Sequence, residues 1–81
     1  MTPVLEINQL KVGLLIQEHD VMVEIIESTK AGIKVKGVSN VNYGNVNTTL
    51  IPIEDLKDVI TDEKHQMFII GLAKDYPEYY L

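Results

Sequence analysis

Short apolar runs, separated by polar or glycine-containing breaks, fill the first two thirds of the chain. LKVGLLIQ, Leu10 to Gln17, reads as a first strand interrupted by Gly13, with Glu18-His19-Asp20 as the polar connection after it. VMVEIIES, Val21 to Ser28, is rich in β-branched residues and predicts a second strand with both faces partly buried. Thr29 to Gly32 has the length and the late glycine of a hairpin loop. From Ile33 to Val38 the alternation is clean, placing Ile33 and Val35 on the core side and Lys34 and Lys36 together in solvent.

From Ser39 to Asn47 the periodicity stops, apart from Val41, Tyr43 and Val46, and the Asn and Gly residues suit the left-handed conformations of a long loop. TTLIPI, Thr48 to Ile53, predicts a strand that Pro52 confines to a sheet edge or a strand end, because proline donates nothing to the ladder. Glu54-Asp55-Leu56 predicts one tight helical turn, and Lys57 to Ile60 a short closing strand. Beyond it, Thr61 or Asp62 can cap a helix, Asp62 and Glu63 suit its positive end, and Met67, Ile70 and Phe68, Leu72 recur at helical spacing. These signals predict a helix from about Asp62 to Asp75. A strand over Met67 to Ala73 is the competing reading, because a short apolar run does not set its own period and Gly71 weakens a helix by about 1 kcal/mol.

Strand, long hairpin, loop, strand, helical turn and short strand is the order of a small five-stranded SH3-like barrel. The pairing of LKVG with IPIEDLKDVITDE about forty residues later resembles small uncharacterised SH3-like barrel proteins of gut bacteria and their phages. In those, Leu-x-x-Gly opens the first strand and Pro-x-Glu-Asp-Leu precedes a Thr-Asp/Glu-Glu helix. The resemblance covers about Leu10 to Ile70, and the chain departs from it after Gly71, where LAKDYPEYYL is added. It implies a mainly β fold, with a barrel over about residues 10–60 and a C-terminal helix and tyrosine tail over about 61–81, and it brings no catalytic residues.

Composition narrows the picture. A chain of 81 residues is expected to make one domain, since at this length only about 60–65% of the unfolded surface is buried and one core is all it supports. Without cysteine there is neither disulfide nor thiolate to reinforce that core, which must stand on packing or on association with copies of itself. MTPVLEINQL has no basic start and MFIIGLA is too short to cross a bilayer, so a soluble cytoplasmic protein is expected. The formal net charge of −5 argues against binding to a nucleic-acid backbone. Residues 28–53 nevertheless hold Lys30, Lys34 and Lys36 and no acid, between two acidic flanks, and the chain has no arginine.

Candidate chemistry is sparse. Glu18-His19-Asp20 sets an imidazole between carboxylates, but neighbours in a turn do not converge on one ion, and a metal site would need His65 to meet His19 across the fold. No phosphate loop, nucleophile elbow or His-Glu-x-x-His pattern is present, and neither catalysis nor a metal or other cofactor is expected. Lys34 and Lys36, with Asn42, Tyr43 and Asn45 in the following loop, combine charge, paired hydrogen-bonding groups and a stacking surface, the set a nucleotide-like anion requires. The plain reading of the same residues is a solvated strand face beside a polar loop. Tyr76, Tyr79 and Tyr80 either close one end of the protein's own barrel or form a docking tail for a partner or a symmetry mate. The sequence therefore points to a non-catalytic protein-binding module. The resemblance adds an accessory role in a phage or mobile element, as an inhibitor of a host or defence protein. An oligomeric binder of a nucleotide-like anion, using the central lysines and the asparagine loop, is the alternative.

Overall fold

The computed structural model describes residues 1–18, 21–38 and 48–80, without the side chain of His65. Six strands form one antiparallel sheet: β1 (Thr2–Pro3), β2 (Leu14–Glu18), β3 (Val21–Thr29), β4 (Gly32–Gly37), β5 (Thr48–Pro52) and β6 (Met67–Leu72), in the order β1-β6-β2-β3-β4-β5. One helix, α1 (Ile53–Thr61), follows β5 directly, and single 3-10 turns lie at Ile7–Gln9, Glu63–His65, Ala73–Asp75 and Pro77–Tyr80. The fold is mainly β, but it is not a five-stranded SH3-like barrel. The C-terminal strand β6 enters the sheet between β1 and β2, and the sheet stays open with β1 and β5 at its edges.

Two helix assignments change for physical reasons. Lys57 to Ile60 is not a closing strand but part of α1, whose inward residues Ile53, Leu56, Val59 and Ile60 recur at the helical spacing that a four-residue window conceals. The expected helix from Asp62 to Asp75 is instead a 3-10 turn and then β6, as in the competing strand reading. Met67 and Ile69 pack into one core and Ile70 into another, so apolar residues occupy both parities of a strand that is covered on both faces.

The β3–β4 hairpin forms as the pattern predicts. Thr29 Oγ1 accepts from Ala31 N at 3.1 Å and donates to the Gly32 carbonyl at 3.2 Å, which fixes the turn. Gly32 (φ +151°) lies so close to β5 that a Cβ there would run into the Ile51 carbonyl. Pro52 ends the edge strand β5 and leads into α1, whose first N–H, on Ile53, donates to Ala31 O at 2.8 Å. Glu54 and Asp55 stand at the positive end of the helix.

The sheet is strongly curled. Four inter-strand steps separate β6 from β5, about 19 Å in a flat sheet, yet Met67 and Ile51 line one cavity. The concave face holds the larger core, in which Ile16, Ile25, Ile33, Val35 and Met67 pack with Val4, Leu10 and the fully buried Leu56 of α1. The convex face carries a smaller cluster, Leu15, Met22, Val38 and Ala73, with Ile70 and three tyrosines against it.

Candidate functional site

Lys34 and Lys36 project from β4 on the convex side, opposite in parity to the buried Ile33 and Val35. Their segment of sequence has no acid, but the face they occupy does. The β3–β4 register sets Glu27 opposite Lys34 and Glu24 opposite Lys36, while β5 adds Leu50 and Thr48 on the other side. Lys34 Nζ stands 3.4 Å from Glu27 Oε2, with both side chains about half exposed, a pair worth at most about 1 kcal/mol. The rows are thus mixed in charge. Asn42, Tyr43 and Asn45 lie outside the described residues, as do His19 and Asp20. Among the described residues no cluster of histidine and carboxylates could hold a metal ion.

The tyrosines are placed by β6 and the turns after it. A register shift opposite Leu15 and Ile16 is accommodated at Gly71 (φ +154°), where a Cβ would lie 2.8 Å from the Tyr76 ring. Tyr76 donates its hydroxyl to the Ile70 carbonyl at 3.3 Å, and its ring centroid is 6.0 Å from that of Tyr79. Tyr80 donates to Glu24 Oε1 at 2.6 Å, a short bond of the kind that carboxylate acceptors make. Burial first, and then the hydrogen bond to Glu24 and its charge, push the Tyr80 pKa above its ordinary value of 10.0, so the ring remains a donor. All three rings pack on the protein's own convex cluster of Leu15, Met22 and Val38. Tyr80 also joins Glu24, Lys74, Pro77 and Ala73 along a shallow, solvent-open groove of about 370 Å³.

The more recessed feature is a pocket of about 150 Å³ at the β2–β3 end of the concave face. Among the described residues, Ile16, Val21, Val23, Ile51 and Met67 supply its apolar walls, and Glu18 is the charged residue in its lining. Four strands contribute: β2, β3, β5 and β6. The site rests on curvature rather than on any one run, and for that reason the sequence did not single out these six residues. Nothing in the sequence marked Val21, which stands in a run read as partly buried on both faces and is 50% exposed in the structure. Among the described residues β5 pairs with β4 alone, so its outer edge flanks the pocket.

The chain matches no family model, no curated protein and no solved structure. Among the described residues no helix is long and apolar enough to cross a membrane.

Proposed function

We propose that the protein is a non-catalytic protein-binding module whose partner seats one apolar side chain in the pocket lined by Ile16, Val21, Val23, Ile51 and Met67. The size and lining of that pocket carry the reading. Small-molecule sites usually take about 300–1,000 Å³, whereas about 150 Å³ with aliphatic walls accommodates a benzene-sized group. A single protein side chain fits this space, and a nucleotide does not.

The position of the pocket beside β5 adds a second means of recognition. An extended segment pairing with the outer edge of β5 gains backbone hydrogen bonds and brings alternate side chains toward the concave face, where Ile51 already points. The alternative, an oligomeric binder of a nucleotide-like anion at Lys34 and Lys36, is the weaker reading, because Glu27 and Glu24 stand opposite the two lysines and offset their charge toward an anion. A displayed library of short random peptides tests the proposal when panned on the wild type and on Val23→Phe, which fills the pocket. The reading expects enriched peptides with a common apolar anchor that fail to bind the filled variant. Peptides that bind both proteins equally would contradict it.

A further inference from the structure

The pocket reading leaves open what a partner must carry beside its apolar anchor, and Glu18 supplies the discriminating charge. It sits on the last residue of β2, half-buried, in the lining of the pocket. Among the described residues it has no ion-pair partner, in contrast to Glu27, which is held by Lys34, and Glu24, which accepts from Tyr80. A partly buried carboxylate at the rim of an apolar cavity is stabilised by a cation brought with the ligand and repels an anion brought the same way. The net charge of −5 acts in the same direction at longer range.

We infer that the pocket selects a protein segment in which the apolar anchor is followed or preceded by lysine or arginine, the anchor filling the cavity and the cation meeting Glu18. This inference rests on the pocket being the docking site. The anchor supplies the affinity and the cation supplies the choice among anchors. Because Glu18 is only partly buried, the preference is modest and sensitive to salt.

The test is a methyl-detected NMR titration of the full chain at low ionic strength with three acetylated, amidated tetrapeptides: Gly-Leu-Lys-Gly, Gly-Leu-Glu-Gly and Gly-Ser-Lys-Gly. The leucine-lysine peptide is expected to shift the methyls of Val21, Val23, Ile51 and Met67 and to bind about two- to fivefold more tightly than the leucine-glutamate peptide. The serine peptide should leave those methyls unmoved. Glu18→Gln should remove most of that preference, leaving only the small part due to the overall charge. Equal affinity already in the wild type overturns the charge selection and leaves the pocket standing. A preference that persists undiminished in Glu18→Gln overturns it as well, since the overall charge would then be the cause. If neither leucine peptide moves the pocket methyls, the docking site itself is wrong and the inference falls with it.

Discussion

The concave and convex faces of this sheet are closed by different means. The concave face is sealed toward α1 by Leu56 and the aliphatic residues around it, and at the β2–β3 end it retains a side-chain-sized cavity. The convex face is covered over β2, β3 and β6 by three tyrosines that keep their hydroxyls on polar partners, Ile70 O and Glu24, for two of the three. Over β4 and β5 that face is left to the exposed Lys34 and Lys36, with the uncharged Thr48 and Leu50 beside them. The face with the better core is therefore also the face with the apolar opening, while the aromatic side chains act as cover.

The largest effect should follow from damage to the concave core. Leu56 is fully buried, and Leu56→Ala removes the anchor of α1, with an expected loss of about 2–5 kcal/mol in urea unfolding. For a chain this small, that approaches the whole of its stability. Loss of the convex cover should cost less. Tyr76→Ala uncovers part of the Leu15 cluster but deletes a ring that was only partly buried, and about 1–3 kcal/mol is expected from the same measurement. If the two losses prove equal, the faces are not distinct in the way described.

These two faces also divide what the sequence made legible. The β3–β4 hairpin, with Ile33 and Val35 inward and Lys34 and Lys36 outward, follows from alternation alone, because only one parity of β4 is apolar. Pro52 marked the edge strand correctly, since a missing N–H is tolerated there. The C-terminal strand was not legible as the favoured reading. Covered on both sides, β6 has apolar residues at every position from Met67 to Ile70, and such a run satisfies helical and extended periods equally. The pocket was hidden for another reason: its walls lie on four strands, and only the curl of the sheet brings Ile51 near Met67. In the same way, the lysine segment looked free of acids until the register set Glu24 and Glu27 across from it.

Smaller changes sharpen the contrast on the convex side. Tyr80→Phe removes the bond to Glu24 and should cost about 1 kcal/mol near neutral pH. Its pH dependence is more specific. Folding raises the Tyr80 pKa above 10.0, so as pH climbs past that value the unfolded chain loses the proton while the folded one keeps it. Stability from this group is fully present below pH 10.0 and is lost as pH rises from there through the folded pKa. In urea unfolding above pH 10.0, the wild type should therefore lose stability more steeply than Tyr80→Phe. The smallest effect belongs to the exposed ion pair: Lys34→Ala should change stability by less than about 1 kcal/mol, and less still at high salt.

The central claim, that the open end of the concave face is the docking site, is tested most directly by following the Ile, Val, Leu and Met methyls while N-acetyl-leucinamide is added. Saturable shifts at Ile16, Val21, Val23, Ile51 and Met67, with Leu15, Met22 and Val38 unmoved, are the predicted result. Shifts confined to the methyls beneath the tyrosines, or spread evenly over both faces, would contradict it.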